Sequence, residues 1–519
     1  MEEVGILSQI HGEKCWPSVD MLSPCEDACP IHMDVPSYVV AISQGKFKEA
    51  LAVIRKTNPF PSVCGRVCHH PCEGACTRAL IDKPIAIQWL KRFAADYGLR
   101  NAENPTPLER TKKERIAIIG SGPAGLAAAY DLVQQGYGAT VYEAMSIPGG
   151  MLAQGIPQFC LSPEAVQADV DHMKALGVEI KPNMAIGKDL ALEDLWREGF
   201  NAILLASGAS GSPRLGIPGE NARGVISALP FLREARLGRS EPLRGKVVVI
   251  GGGNVGIDAA RAALRLGAQE VHITCLESSR EMPAFAWEIE NAQREGVRVH
   301  PSLAPQQINT DAWGRVAGLD FRRVATFQRD DQGRISWTLM EGPGSEYHID
   351  ANEVIVAIGQ VHDPSYLGGN GHVKIDPRGA FTVDPETLAT NAPGIFAAGD
   401  AVSAPGTVVE SIAAGQKAAA SIDRYLRGQD LRESRLAPAK GVFRLEDLEK
   451  TPRFMPKRER WGMPSIPLED RVRSFGEVNL GYTAWQAVEE AKRCLNCRMC
   501  GNCIFEKDQV CFETSRRLL

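Results

Sequence analysis

The sequence predicts an α/β protein in which one parallel-sheet domain is nested inside another, with a helical region before them. Two glycine motifs of the form G-x-G-x-x-G carry this prediction, because each follows an apolar, strand-like run and begins an Ala-rich helical run. The third observation is the placement of the 14 cysteines, most of which lie near the two ends of the chain, outside both motifs.

Each glycine motif predicts a strand–turn–helix unit of the Rossmann type. Its glycines allow a tight turn and a close approach of the backbone to a pyrophosphate at a helix N-terminus. The residues of the two copies are Gly120, Gly122, Pro123, Ala124 and Gly125, then Gly251, Gly253, Asn254, Val255 and Gly256. Two such units imply two bound dinucleotides, most simply a flavin and a nicotinamide.

The domain boundaries follow from the order of these patterns. Helix-like stretches at 35–57 and 85–99 predict a helical domain over 1–105, and a polar linker follows it. The second strands of the two units are expected at 139–142 and 271–276, and strand-like runs return near 353 and 394. We therefore expect the first domain in two parts, 114–240 and 351–430, with the second domain, 241–350, between them. An extended, cysteine-bearing segment follows at 431–519.

Bulk composition excludes several classes of protein. The net charge of −5 gives no electrostatic case for nucleic-acid binding. The N-terminus has no basic region followed by an apolar stretch, and no run of about 18 apolar residues exists, so we expect a cytoplasmic protein with no membrane span. Cysteines in such a chain favour metal binding over disulfides.

The first dinucleotide site is predicted to extend beyond its glycine motif. Glu143 ends the second strand, where a carboxylate can accept hydrogen bonds from a ribose; the alternative is a solvated strand-end Glu. Gly150 follows, and further along the chain Gly399-Asp400 closes a strand and Thr407 begins a helix.

These motifs resemble the flavoprotein superfamily that binds two dinucleotides. The resemblance implies that Asp400 binds the ribityl chain of FAD and that the helix beginning at Thr407 points its N-terminus at the flavin ring. A redox cysteine pair is missing after Gly150, which argues against a disulfide reductase.

The second strand of the nicotinamide unit ends in Glu277. This carboxylate would accept a hydrogen bond from a free 2′-hydroxyl and repel a 2′-phosphate, so the sequence predicts NADH in preference to NADPH. Arg280 lies three residues further on and could partly accommodate a phosphate.

The cysteine spacing extends the resemblance to the small-subunit family of glutamate synthase. That family includes the flavin subunit of transhydrogenases and the N-terminal half of dihydropyrimidine dehydrogenase. The resemblance implies one 4Fe-4S cluster on Cys29, Cys68, Cys72 and Cys76; zinc or free thiols are the alternatives.

A second N-terminal cluster of the family needs an upstream C-x-x-C pair, which this chain lacks. Only Cys15 stands there, and the helix position of the polar ligand is Lys91, so we expect Cys25 and Cys64 to be structural.

The C-terminal cysteines are spaced as in ferredoxins. We expect four of the five to bind a cluster, with a zinc knuckle as the alternative: Cys494, Cys497, Cys500, Cys503 and Cys511. The chain is then expected to hold about two 4Fe-4S clusters.

The predicted function is that of an electron-entry flavoprotein, an NAD(P)H-dependent, FAD-containing iron–sulfur oxidoreductase. Hydride would pass from NADH, or less favourably NADPH, to FAD, and single electrons through 4Fe-4S clusters to a partner subunit. Hydride transfer needs no acid or base, so no catalytic side chain is predicted. Flavin-based bifurcating and hydrogenase or formate dehydrogenase complexes are the expected settings. The alternatives are the small subunit of an NADPH-dependent glutamate synthase and a flavin-bearing scaffold.

Overall fold

The computed structural model describes residues 21–101, 105–330, 333–368, 373–432, 441–442 and 456–497. The predictions for Cys15, Cys500, Cys503 and Cys511 therefore lie outside the described residues, as does most of the stretch from 433 to 455.

The N-terminal domain is helical, as the sequence predicts. The expected helix over 35–57 is two helices separated by a turn at Gly45, and the expected helix over 85–99 spans Ile87–Arg100. The α-helices of this domain, with one 3-10 turn at Thr77–Leu80, are Pro24–Asp27, Val35–Ser43, Phe47–Arg55, Pro61–Val67, Pro71–Gly74 and Ile87–Arg100. Asp169, from the next domain, joins the two units because its carboxylate accepts hydrogen bonds from the N–H groups of Ser62 and Val63.

The first sheet is parallel and contains the strand before the first glycine motif. Its five strands are, in spatial order, Ile395–Ala397, Ala202–Leu205, Arg115–Ile119, Gly138–Tyr142 and Glu179–Lys181. The helices packed with it are Pro123–Gln134, Met151–Gln154, Pro163–Leu176, Leu192–Arg197 and Val408–Leu426. The strand from 395 arrives after the second domain, so the predicted nesting of one domain inside the other is present.

The second sheet is also parallel and contains the strand before the second glycine motif. Its strands are, in spatial order, Val225–Ser227, Glu353–Val356, Lys246–Ile250, Glu270–Thr274 and Arg298–His300. Its helices are Ala228–Arg236, Asn254–Arg265 and Ala286–Arg294. The sheet thus extends past both limits of the predicted 241–350 range, because Glu353–Val356 pairs with Lys246–Ile250 and Val225–Ser227 rather than with the first sheet.

An antiparallel sheet lies in the chain between two strands of the second parallel sheet, Arg298–His300 and Glu353–Val356. Its strands are Leu303–Thr310, Val316–Arg329, Ile335–Leu339 and Glu346–Asp350, and the long second strand pairs with the other three. Short 3-10 turns at Ser365–Leu367 and Gly399–Ala401 follow in the return to the first sheet.

The C-terminal segment packs on the N-terminal domain. Its helices are Leu468–Arg471 and Ala484–Ala491. A two-stranded parallel pairing of Met21–Leu22 with Gly441–Val442 also joins the two ends of the chain. In the part of the chain that the structure describes, no helix is long and apolar enough to cross a membrane.

Candidate functional site

One cavity of about 1400 Å³ joins the two glycine motifs. Sites for one small ligand or cofactor usually measure about 300–1000 Å³, so this cavity has room for more than one. The residues predicted from the sequence that line it are Gly120, Gly122, Pro123, Ala124, Glu143, Gly150, Gly251, Gly253, Asn254, Val255, Glu277, Asp400 and Thr407. Three others are not among the lining residues, namely Gly125, Gly256 and Gly399. Gly125 and Gly256 instead lie against the first glycine of their own motif.

The first motif turns the chain sharply between strand and helix. Gly120 has φ +105°, and a Cβ there would lie 2.4 Å from the carbonyl oxygen of Ala206 in the neighbouring strand. Both the conformation and the space therefore require glycine. The helix then begins at Pro123, whose missing N–H costs nothing at the first helical position.

The N-termini of both motif helices lack a side-chain cap. Gly122 and Gly253 are the N-cap residues, and neither helix start has a side-chain capping bond. Free N–H groups and the positive end of the helix dipole suit a pyrophosphate. By contrast, the third helix beside the cavity has its own cap, since Thr407 and Glu410 form a capping box.

Glu143 connects the first motif to the loop that carries Gly150. Its Oε2 accepts hydrogen bonds from the N–H of Ser121 at 3.1 Å and from Ser121 Oγ at 2.5 Å, and its Oε1 accepts from the N–H of Met145 at 2.8 Å. The same serine hydroxyl accepts from the N–H of Gly149 at 2.9 Å. The carboxylate is buried yet lines the cavity, so it is fixed in place with acceptor capacity left for a ribose.

Asp400 lies in the 3-10 turn Gly399–Ala401, before the long helix Val408–Leu426, and also lines the cavity. Its Oδ1 accepts from the N–H of Gly406 at 3.0 Å and from Ser411 Oγ at 3.4 Å. Burial raises the pKa of this carboxyl group, which the hydrogen bond from Gly406 partly opposes. The contact of Asp400 with the ribityl chain stays a prediction of the resemblance.

Glu277 lines the cavity at the second motif, and it has a cationic neighbour that the sequence did not reveal. Arg329, at the end of the long antiparallel strand, places Nη2 3.4 Å from Glu277 Oε1. The arginine is half exposed, whereas Glu277 is buried. No local pattern near Glu277 could predict this pair, since the two residues are 52 positions apart.

An aromatic stack reaches from the nicotinamide domain to the cysteine-bearing domain. Phe285 stacks on Trp287 with ring centroids 4.6 Å apart, and on its other neighbour His69 at 5.8 Å. Its N–H donates to Asn254 Oδ1, which ties the stack to the second motif. His69 and His70 directly precede the short helix Pro71–Gly74, and His70 contacts Trp287.

The N-terminal cysteines form two groups rather than one. The first group contains Cys29, Cys68 and Cys72, and these thiols lie close enough to the buried Lys91 ammonium to influence its pKa, as does Cys64. Burial opposes the charge on Lys91, but the thiols of Cys68 and Cys64 outweigh it and raise that pKa. Cys68 also lines the large cavity, so this group borders the dinucleotide site.

The second group joins the two ends of the chain. One small cavity is lined by four cysteines, Cys25, Cys76, Cys494 and Cys497. Sequence reasoning missed this group because it compared the spacing within each end separately.

Comparison with known proteins identifies the family. The profile of the pyridine nucleotide-disulphide oxidoreductases matches residues 114–415, and that of the 4Fe-4S domain II of dihydropyrimidine dehydrogenase matches residues 12–103. The chain belongs to the pyridine nucleotide-disulphide oxidoreductase family. It is an NAD(P)H-dependent FAD oxidoreductase with an iron–sulfur domain, as the sequence predicts.

Several curated relatives are similar over most of this chain. The beta subunit of the NADP(+)-dependent formate dehydrogenase of Moorella thermoacetica is 39% identical over 511 residues, 92% of this chain and 71% of that protein. The beta subunit of the NADPH-Fe(3+) oxidoreductase of Geobacter sulfurreducens is 39% identical over 510 residues, 92% of this chain and 75% of that one. The small chain of Escherichia coli glutamate synthase [NADPH] is 35% identical over 424 residues, 78% of this chain and 88% of that one.

A solved structure shows the same fold at low identity. FprA from Mycobacterium tuberculosis in complex with NADPH aligns with a TM-score of 0.52 and 17% identity, covering 64% of this chain and 88% of FprA.

Proposed function

We propose that this chain is the electron-entry subunit of a hetero-oligomeric oxidoreductase. The observation that carries the proposal is the single cavity that joins both glycine motifs and reaches Cys68. When bound, FAD would take hydride from NAD(P)H and release single electrons to iron–sulfur clusters. The chain's own residues bind and align the two dinucleotides and place the first thiol group beside them.

The residues of the first motif fit FAD. The uncapped helix start after Gly122 would hold the pyrophosphate, and Glu143 is fixed by Ser121 to accept from the ribose. Asp400, which lines the same cavity, would accept from the ribityl chain. Two carboxylates and one helix N-terminus thus match a ligand with hydroxyl groups at both ends and a central pyrophosphate.

The residues of the second motif fit a nicotinamide dinucleotide. Its helix start after Gly253 is also uncapped and lines the same cavity, so a second pyrophosphate would bind there. The stack of Phe285 on Trp287 lines the cavity beside Asn254 and contacts the cysteine-bearing domain through His69.

The choice between NADH and NADPH is set by Glu277 and Arg329 together. The carboxylate favours a free 2′-hydroxyl, and the preference for NADH stays a prediction of the sequence. The relatives named above are NADP(H) proteins. Arg329 is the cation that a 2′-phosphate would meet, and its position 3.4 Å from Glu277 allows one pair of side chains to serve either dinucleotide.

The electron acceptor is proposed to be a subunit of the kind found in formate dehydrogenase or Fe(III)-reducing complexes. Two relatives with those names match 92% of this chain, whereas the glutamate synthase small chain matches 78%. Electron bifurcation at this flavin stays a prediction of the sequence.

The test is flavin reduction by the intact, anaerobically purified chain. We expect about one FAD per chain after denaturation and bleaching of the flavin absorbance by NADPH or NADH. Asp400→Ala should lower the FAD content, whereas Asp171→Ala, at an exposed site outside the cavity, should not. A chain that holds FAD but is reduced by neither dinucleotide would be a flavin-bearing scaffold, and the proposal would be wrong.

A further inference from the structure

Four thiols from opposite ends of the sequence share one small cavity. Cys25 lies in the helix Pro24–Asp27, and Cys76 directly precedes the 3-10 turn Thr77–Leu80. Cys494 and Cys497 follow the last helix, Ala484–Ala491. The other lining residues are mostly apolar, and they include Pro24, Val35, Val39, Ile85, Ile87 and Leu495.

The contacts between these thiols cross the two ends directly. Thr77 Oγ1 lies 2.8 Å from Cys497 Sγ. Ser23 Oγ lies 3.2 Å from Cys25 Sγ, and the N–H of Asn496 donates to Cys494 Sγ at 3.4 Å. Thiols from both ends of the sequence therefore line one cavity, with hydroxyl and N–H groups beside their sulfur atoms.

Buried ion pairs hold the C-terminal cysteine pair in this position. Arg493 is 1% exposed, and its guanidinium donates to Glu490 Oε1 at 2.6 Å and to Asp82 Oδ1 at 2.7 Å. Glu490 is fully buried and also accepts from the N–H of Ala86, at the start of the helix Ile87–Arg100. Because an unpaired buried charge is costly, these contacts fix the last helix to the N-terminal domain.

Two buried arginines connect the walls of the cavity. Arg78 lines it and donates to the backbone carbonyl of Arg493 at 3.3 Å. Both guanidinium groups also pair with Asp82, so they fix the two ends of the chain to each other.

The described residues offer no ready site for a single metal ion at this cavity. Zinc needs four ligand atoms within about 2.3 Å of one centre. Among the residues that the structure describes, no three His, Cys, Asp or Glu side chains lie close enough to hold one ion. A four-iron core holds its thiolates further apart than a single ion does, and thiolates are its usual ligands.

We propose that four cysteines from both ends of the chain bind one 4Fe-4S cluster: Cys25, Cys76, Cys494 and Cys497. The proposal rests on the proposed electron-transfer function and deepens it. In this proposal Cys494 and Cys497 take the place of the missing upstream C-x-x-C pair, and Cys25 becomes a cluster ligand.

Two consequences follow for the other cysteines. Cys76 no longer belongs with Cys29, Cys68 and Cys72, which leaves Cys64 as the additional thiol near that first group. Because Cys68 lines the dinucleotide cavity and none of the four ligand cysteines does, the new site lies one step further from the flavin. The C-terminal pair would then serve the electron exit without a separate tail cluster.

The experiment compares single alanine variants of the full chain, purified anaerobically. Native mass spectrometry counts iron and sulfide, EPR of the dithionite-reduced protein identifies each cluster, and FAD content with flavin reduction by NAD(P)H reports the rest of the molecule. The variants are Cys25→Ala, Cys76→Ala, Cys494→Ala and Cys497→Ala, with Cys500→Ala as the control from the same cysteine-rich tail.

We expect the four variants to lose the same EPR signal and about four irons each, while FAD and its reduction are retained. Cys500→Ala should keep both. If Cys494→Ala and Cys497→Ala lose four irons while Cys25→Ala and Cys76→Ala keep them, the tail binds its own cluster and the proposal is overturned. Zinc at the site would overturn it as well. If the variants still reduce their flavin with NAD(P)H, the proposed function stands whatever the iron count shows, so the two proposals are tested separately.

A second measurement uses the wild-type holoprotein, so it tests the proposal even if the alanine variants do not fold. Ferricyanide breaks down exposed clusters and oxidises the released thiols, and peptide mass spectrometry then identifies the disulfides. Disulfides that link Cys25 or Cys76 to Cys494 or Cys497 are expected. Disulfides found only within each end of the chain would contradict the shared site.

Discussion

Gly415 offers a sharp test of the packing around the flavin site. It lies within the helix Val408–Leu426, where the helix crosses Pro123–Gln134 from the first motif. A Cβ at this position would lie 2.1 Å from the carbonyl oxygen of Ala124 and 2.9 Å from its carbonyl carbon. Since carbon–oxygen contacts normally measure about 3.3 Å or more, Gly415→Ala must separate the two backbones by about 1.2 Å.

The sign of the effect distinguishes packing from helix propensity. Alanine is favoured over glycine in a helix interior by about 1 kcal/mol, so propensity alone predicts a more stable protein. Overpacking against backbone costs up to about 3 kcal/mol, because backbone cannot move aside as a flexible side chain does. We therefore expect a net loss of about 2 kcal/mol, together with a rise of about tenfold or more in the FAD dissociation constant.

The assay is thermal unfolding of the apoprotein and FAD titration of the same preparation, for wild type, Gly415→Ala and Gly462→Ala. A Cβ on Gly462 meets nothing within 4 Å, so that variant should behave as wild type. A Gly415→Ala protein that unfolds at the same or a higher temperature and keeps its FAD affinity would refute the packing argument.

Three further predictions concern charged groups. In flavin reduction, Arg329→Ala should lower kcat/KM for NADPH by about tenfold relative to NADH. Glu277→Ala should raise kcat/KM for NADPH relative to NADH. Equal effects on both dinucleotides would refute the assigned roles. Arg493→Ala leaves buried Glu490 without its ion-pair partner, which costs about 3–5 kcal/mol, so the last helix should become sensitive to proteolysis. Arg197→Ala, in an exposed pair, should not have this effect, and equal proteolysis rates for the two variants would contradict the anchoring role of Arg493. Burial opposes the charge on Glu295, but its buried arginine partners hold its pKa at about 2. The stabilisation from this group is therefore present above pH 4.5 and is lost as the pH falls towards 2. Glu295→Gln should flatten the dependence of the free energy of unfolding on pH over that window, and an unchanged dependence would contradict the assignment.

Local sequence patterns predicted the parts of the fold that depend on local physics. A strand, a glycine turn and a helix lie within about 20 residues in each Rossmann unit, so Gly120 and Gly251 could be placed without knowledge of the rest. The nesting of the domains also followed from element order. The strand Glu353–Val356 was assigned to the wrong sheet, because an apolar run of this kind is compatible with either parallel sheet and only its pairing with Lys246–Ile250 decides.

Contacts between distant parts of the chain could not be predicted from spacing. The pair Glu277–Arg329 depends on the path of an antiparallel strand whose periodicity is weak. The thiol group that joins Cys25 to Cys494 depends on the last helix folding back onto the first domain, which buried Glu490 and Arg493 specify. In the sequence, Glu490 and Arg493 look like ordinary charges on a helix surface. Only their burial in the structure shows that they fix the last helix to the first domain.

The most direct test of the account is anaerobic rapid mixing of the as-purified chain with NADPH or NADH, followed by absorbance and freeze-quench EPR. The account predicts that flavin absorbance bleaches first and that cluster signals appear afterwards, with more reducing equivalents taken up than one FAD alone can hold. If neither dinucleotide bleaches the flavin, the two motifs do not form one hydride-transfer site, and the central claim is contradicted.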